Sequence, residues 1–331
     1  MIDDGTTLRL LDPSVGDLAW VEDLWAWSGG AFTGAFHVRP VAEACGLLGP
    51  KSLVAGTSVG ALAALAAACD RPALYRELFA SIDDRHAWNG VDGVMAPRAA
   101  GLGAWVAALL ALLRGEEWRA RLPSGLVSLD PLRETIRAHL RPEDVRRPYA
   151  VGVVSRTTGR HYVCVLGPAT PWDLQLDLVV ASCAMGAICE PVSVAMLPAH
   201  QHHRELLADG GHHSLVPLPP RDSLPALQAV RAFFTAPVVN PSSPVEPGLG
   251  GALRWAVAQA MRSALRGDLA ELEAWRAGGV DVRVGLPVAR AHGFMDASEE
   301  AFRARLAESD RIWERVISTA SAHQHPAAQE R

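Results

Sequence analysis

Several patterns that would narrow the function are missing from this sequence. There is no Cys-x-x-Cys pair, and the five cysteines, Cys45, Cys69, Cys164, Cys183 and Cys189, are odd in number. Each lies in an apolar or alanine-rich stretch, which argues against a zinc ribbon or a disulfide framework and for buried free thiols in a reducing compartment. No apolar run reaches the ~20 residues that a membrane-spanning helix needs, and the longest is residues 101–113. Residues 1–4, Met-Ile-Asp-Asp, have neither the basic nor the apolar character of a signal peptide, so a cytoplasmic location is expected. No basic cluster with interleaved aromatics occurs and the formal net charge is −5, so nucleic acid is not an expected partner.

What is present suffices for a large core. Hydrophobic residues make up 49% of the 331 and charged residues only 20%, a balance that fits one large α/β domain or two small ones. Residues 18–27 read as an aromatic-rich strand and are followed by the glycine-rich turn Ser28-Gly29-Gly30-Ala31-Phe32-Thr33-Gly34. Residues 35–47 read as a helix, 52–55 as a short apolar strand, and 61–69 as a helix apolar on every side, as a buried helix must be. Strand, loop, helix, strand, elbow and helix make a βαβ unit with a second helix, which implies a parallel sheet covered on both faces and a right-handed crossover.

Further along, helices are expected at 71–82, 101–114, 131–140, 224–234, 252–266 and 299–318. Strands are expected at 149–155 and 161–166, joined by Thr157-Thr158-Gly159, and at 280–286; residues 177–185 read as a strand or a buried helix. No internal repeat or clean linker divides the chain. Residues 1–17 are read as an N-terminal extension, 18–318 as one catalytic domain and 319–331 as a flexible tail.

The chemistry centres on Gly56-Thr57-Ser58-Val59-Gly60, a G-x-S-x-G pattern between an apolar strand and an apolar helix. A serine on such a tight turn projects its hydroxyl from the sheet edge, and the helix that follows favours negative charge there. In a βαβ unit the Gly29-Gly30 turn lies beside that serine at the same edge, where its N–H groups can form an oxyanion hole. The turn has neither the Gly-x-Gly-x-x-Gly nor the Gly-Lys-Ser/Thr pattern of a nucleotide loop. The third element is Asp209-Gly210-Gly211 in a Pro-flanked loop, whose glycines permit close approach to another loop; taken alone it reads as a simple turn.

In this order the three blocks resemble the patatin-like phospholipases, which carry a G-G-G-x-[RK]-G loop, a G-x-S-x-G elbow and a D-G-[GA] motif. Ala181-Ser182-Cys183-Ala184-Met185-Gly186-Ala187 with Pro191-Val192 is similar to the family's A-S-x-A-x-P segment, Val216-Pro217-Leu218 to its N-x-P, and Met295-Asp296-Ala297-Ser298 to its usual ending. The resemblance spans about residues 18–316. It implies a three-layer α/β/α sandwich with a mainly parallel central sheet. It also implies a Ser58–Asp209 dyad without histidine, acting through an acyl-enzyme. The oxyanion hole would be formed by Gly29, Gly30 and Ala31, with Gly34, Gly56, Gly60, Gly210 and Gly211 shaping the motifs. No metal and no cofactor is implied. The implied partner is a lipid or acyl-ester substrate, with peripheral membrane contact allowed. Acyl transfer on the same scaffold and a non-catalytic lipid-binding role are the alternatives.

Two departures from the family pattern bear on the substrate. Ala31 replaces the third glycine of the loop, and Thr33 stands where a basic residue is usual, removing a positive charge from the site. Gly186 also sits where the proline of the fourth block is often found. Other features have plainer readings. Residues 101–114 fit a buried helix or a lipid-facing lid, with Arg98 and Arg114 at its ends. His200, His202, His203, His212 and His213 fit a polar loop better than a metal site, and His292 is a late histidine that an α/β-hydrolase triad would need. The adjacent pairs Asp83-Asp84 and Glu116-Glu117 fit solvated surface.

Overall fold

The computed structural model describes residues 6–81, 96–97, 127–186, 189–195, 204–235, 249–287 and 299–323, except the side chains of 32, 80–81, 96–97, 249–258 and 317–323. Helix 101–114, Arg98, Arg114, His200, His202, His203, His292 and both acidic pairs lie outside the described residues. The strands are β1 (Thr6–Leu10), β2 (Asp23–Trp27), β3 (Ser52–Thr57), β4 (Ala96–Pro97), β5 (Val127–Ser128), β6 (Tyr149–Ser155), β7 (His161–Leu166), β8 (Val192–Ala195), β9 (Arg204–Asp209), β10 (Ala229–Phe233) and β11 (Asp281–Gly285). The helices are α1 (Val38–Leu47), α2 (Val59–Ala68), α3 (Pro72–Ser81), α4 (Asp130–His139), α5 (Trp172–Cys183), α6 (Leu249–Ala277) and α7 (Glu299–His323).

Among the described residues the main sheet has nine strands in the order β1-β7-β6-β3-β2-β10-β11, with β9 also on β6 and β8 on β9. Its centre is parallel: β3 pairs with β2 and β6, and β10 with β2 and β11. The β6–β7, β6–β9 and β8–β9 pairs are antiparallel. Side-chain alternation builds two cores. Trp25, Trp27, Val54, Tyr149, Val151, Cys164 and Phe233 face one. Leu24, Ala26, Leu53, Ala55, Ala150, Val163 and Val230 face the other. Helices α1–α5 and α7 close the first face and α6 the second, which makes the three layers of an α/β/α sandwich. Trp313 of α7 stacks on Trp25 and Phe233 with ring centroids 6.2 Å apart in each pair, fixing that helix to the sheet.

Four local expectations are corrected. Residues 224–234, rich in alanine and read as a helix, contain strand β10. Val230, Ala232 and Phe234 point into one core and Phe233 into the other, so burial on both faces of an interior strand overrides helix propensity. The helix expected at 35–47 starts as a 3-10 turn over Ala31–His37 and becomes α-helical at Val38. The helix expected at 252–266 runs from Leu249 through Gly267 to Ala277, and its buried Leu265, Leu272 and Trp275 hold it on the core past the glycine. Residues 6–10, read as part of an extension, pair in register with β7. Of the ambiguous stretch 177–185, residues 177–183 belong to α5, which ends at Cys183.

Candidate active site

Strand β6 has two partners along one edge. Its first half pairs with β3, placing Thr57 opposite Gly152. Its second half pairs with β9, placing Asp209 opposite Val153. Because β3 runs parallel to β6 and β9 antiparallel, the two strands point at each other and end at neighbouring positions. The residue after β3 is Ser58 and the last residue of β9 is Asp209. Strand pairing alone therefore joins two residues that are distant in the chain.

Ser58 has φ 57° and ψ −126°, outside the helical and extended wells, while α2 begins at the next residue. A non-glycine residue held there carries strain of about 1–3 kcal/mol. The turn is possible because α2 approaches β2 closely: a Cβ on Gly60 would lie 2.1 Å from the Trp27 carbonyl oxygen. The Ser58 N–H donates to Ser182 Oγ at 2.8 Å, and the Ser182 hydroxyl donates to the Gly152 carbonyl at 2.6 Å. Helix α5 thus ties the elbow to β6. Ser182 was legible only as part of a resemblance, and its bridging role had no signal in the sequence.

The glycine-rich turn lies against the serine. A Cβ on Gly29 would be 3.0 Å from Ser58 Cβ and 3.8 Å from its Oγ. The turn is held from several sides. Thr235 at the end of β10 donates its hydroxyl to the Gly29 carbonyl at 2.5 Å and its N–H to Ser28 Oγ at 2.9 Å. The His37 ring lies 3.0 Å from the Ser28 carbonyl through Nε2, and burial lowers its pKa to about 4. A neutral ring must donate from Nε2 to bind a carbonyl. Thr33 occupies the place of the missing basic residue, is buried, and hydrogen-bonds the Gly30 carbonyl through its hydroxyl and, at 3.0 Å, its N–H. A charge has been replaced by a brace within the loop. The Gly29 N–H, expected in the oxyanion hole, donates to the Leu215 carbonyl at 3.1 Å. Gly30 and Ala31, which line the pocket with Gly29, are the loop residues whose N–H groups are left for that role.

Ala31 has φ 48°, the left-handed region. A side chain there costs about 1–2 kcal/mol in local strain. Ala31→Gly is therefore expected to raise stability by about 1 kcal/mol, or roughly 2 °C in Tm, after the extra entropy of glycine in the unfolded chain is subtracted. Thermal unfolding of the two proteins checks this; an unchanged or lower Tm would mean that Ala31 rests in an unstrained well.

Asp209 is buried, accepts the Gly211 N–H at 2.7 Å and lines the same pocket as Ser58. Burial raises its pKa above the ordinary carboxylate value, while the Gly211 N–H, the neighbouring Ser58 side chain and the charge of His212 oppose the rise. Gly29, Gly30, Ala31, Ser58, Asp209 and Gly211 all line one pocket. Met185, Leu215 and Met261 supply its apolar wall, and none of the three was singled out in the sequence for that part. Gly56 lies within β3 opposite Trp27, Gly210 opens the 3-10 turn after β9, and the Gly34 carbonyl accepts the Tyr75 hydroxyl at 2.9 Å, so these three shape the site from behind. His212 and His213 are exposed beside Asp209, and among the described residues no group of three candidate ligands could hold a metal. The arrangement places a hydroxyl, a buried carboxylate, backbone N–H groups and an apolar wall around one pocket, a set of groups that could serve acyl transfer through serine.

The patatin-like phospholipase family model matches residues 26–222. A search of curated proteins finds no match. Among solved structures the chain is similar to VipD from Legionella pneumophila, at 11% identity and a TM-score of 0.37, over 92% of this chain and 67% of that one. No helix among the described residues is long and apolar enough to cross a membrane. The family match covers more than half of the chain and contains the elbow, the glycine-rich turn and the Asp-Gly-Gly turn together. The chain belongs to the patatin-like phospholipase family.

Proposed function

We propose that this protein hydrolyses carboxylic esters of lipids through a Ser58–Asp209 dyad and an acyl-enzyme. The observation that carries this reading is that β3 and β9 end beside each other on β6, so that Ser58 and the buried Asp209 line one pocket edged by Gly30 and Ala31. Asp209 takes the Ser58 proton as Oγ attacks the ester carbonyl. The N–H groups of Gly30 and Ala31 and the N-terminus of α2 stabilise the resulting oxyanion. The tetrahedral intermediate collapses, the C–O bond to the alcohol breaks, and the proton passes from Asp209 to the leaving oxygen. Water then gives its proton to Asp209, attacks the acyl-serine and releases the fatty acid, and the proton returns to Ser58. The apolar wall of Met185, Leu215 and Met261 supports an acyl chain as the group bound. The five cysteines are free, which supports work in a reducing compartment such as the cytoplasm, with contact at a membrane surface to reach lipid.

A fluorophosphonate probe tests the reading. Intact-mass analysis of folded protein is expected to give one adduct per chain, and peptide mapping is expected to place it on Ser58. Product analysis with a p-nitrophenyl ester, with and without an added alcohol, then separates hydrolysis from acyl transfer. A folded chain that takes up no probe overturns the proposal.

A further inference from the structure

The loop after Asp209 is anchored by a carboxylate from α6. Asp268 is 4% exposed. Its Oδ1 accepts the Ser214 hydroxyl at 2.7 Å, and its Oδ2 accepts the N–H groups of Leu215 at 2.7 Å and Val216 at 3.1 Å. The Ser214 N–H donates to the Gly210 carbonyl at 3.1 Å, which ties this stretch to the Asp209 turn. Leu215 then acts in two directions. It gives its N–H to Asp268, and its carbonyl accepts the N–H of Gly29, the residue packed against Ser58.

The position of Asp268 on its helix argues that this is more than packing. Leu265 and Leu272, three residues before and four after, are on the same face of α6 and buried in the same core. Another apolar side chain at 268 would suit that face without the desolvation a buried carboxylate incurs, and burial pushes the Asp268 carboxyl up to about 6. Three donors converge on it instead, all from the loop that carries Leu215. What the carboxylate contributes and an apolar side chain cannot is a fixed register between α6 and that loop.

We infer that Asp268 is a positioning residue for the acyl-transfer site, one that sets the spacing between the Asp209-Gly210-Gly211 turn and the Gly29–Ala31 loop through Leu215. This rests on the hydrolase reading above, because the groups it spaces are the base and the oxyanion donors. A displacement of about 1 Å in such groups can cost on the order of 10²-fold in rate.

Hydrogen exchange and kinetics on the full chain test it together. In Asp268→Ala, amide exchange is expected to accelerate both at 212–218 and at 28–33, with β3 and α5 unchanged. The kcat for a p-nitrophenyl ester is expected to fall on the order of 10²-fold with KM little changed, since the loss is one of alignment and not of binding. Asp268→Asn is expected to recover most of both losses: its amide oxygen can accept the two N–H groups while its NH₂ donates to Ser214 Oγ. If Asp268→Ala does not fold, Asp268→Glu takes its place. It keeps the charge, displaces it by one methylene, and is expected to lose kcat with the same paired rise in exchange. Faster exchange confined to 212–218, or a wild-type kcat in the Ala or Glu variant, overturns the inference. The two readings fail separately. Coupled exchange in a chain that takes up no fluorophosphonate sustains the anchor and overturns the hydrolase. A labelled Ser58 with uncoupled exchange does the reverse.

Discussion

Ser58→Ala is expected to lower kcat for ester hydrolysis by on the order of 10⁶-fold and to abolish fluorophosphonate labelling, with no loss of folding stability. The size follows from the role. Without Oγ there is no acyl-enzyme, and what remains is the rate that bound water reaches with help from the loop donors and the end of α2. Stability should hold because the hydroxyl carries little of the local structure: the elbow is fixed through the Ser58 N–H, which Ser182 accepts, and through the closeness of Gly60 to Trp27. Ser58→Gly separates strain from chemistry. Glycine adopts φ 57° without penalty, so this variant is expected to be more stable than Ser58→Ala by about 1 kcal/mol while equally inactive. Initial rates, probe adducts and Tm values of the three proteins check all of this. An Ala variant that keeps more than about one part in 10³ of wild-type kcat would remove Ser58 from the nucleophile's role, because the non-covalent residue of catalysis is far smaller.

Much of the architecture could be read from the residues, because its signals are local. The strand–turn–helix alternation of residues 23–68 gives a parallel unit with a glycine elbow, and the structure has β2, α1, β3 and α2 there. The hairpin of β6 and β7 was legible from its apolar runs and its Thr-Thr-Gly turn. The errors fall where tertiary context decides. Alanines in β10 favour a helix in isolation, and only its place between β2 and β11 makes it a strand. Strand β1 is five residues long and half-buried, too short to carry a period of its own.

The site was legible in a different way. Gly-x-Ser-x-Gly between apolar segments has a local physical meaning, so Ser58 could be picked out as a candidate nucleophile from the residues around it. Asp209 could be reached only through the order of the family's motifs, since nothing near it in sequence names its partner. The structure supplies the reason the pair can meet: β6 is longer than its contact with β3, and the remainder is taken by β9 from the opposite direction. The supports, Ser182, Thr235 and Asp268, act through hydrogen bonds to backbone groups of distant loops. Such bonds depend on where the backbone passes and leave no pattern in composition or spacing.

Asp209→Asn carries the second large effect, a loss in kcat on the order of 10⁴-fold with folding retained, by analogy with the loss when a serine hydrolase's buried carboxylate becomes an amide. The asparagine keeps the shape, and its oxygen can still accept the Gly211 N–H, but it cannot take up the Ser58 proton at neutral pH. The wild-type pH profile ties the loss to basicity. Asp209 must be ionised to act as a base, so kcat/KM falls as pH drops through its pKa. Burial places that pKa above the ordinary value near 3.9, so the acid limb is expected at higher pH than a solvated aspartate would give. His212 contributes a charge that lowers the same pKa. Removing it in His212→Ala is expected to move the acid limb further up in pH while leaving the plateau rate little changed. The Asp209→Asn protein is expected to lack that limb altogether. A limb at the same pH in Asp209→Asn as in wild type would assign the titration to another group, and with it the proton that Ser58 gives up.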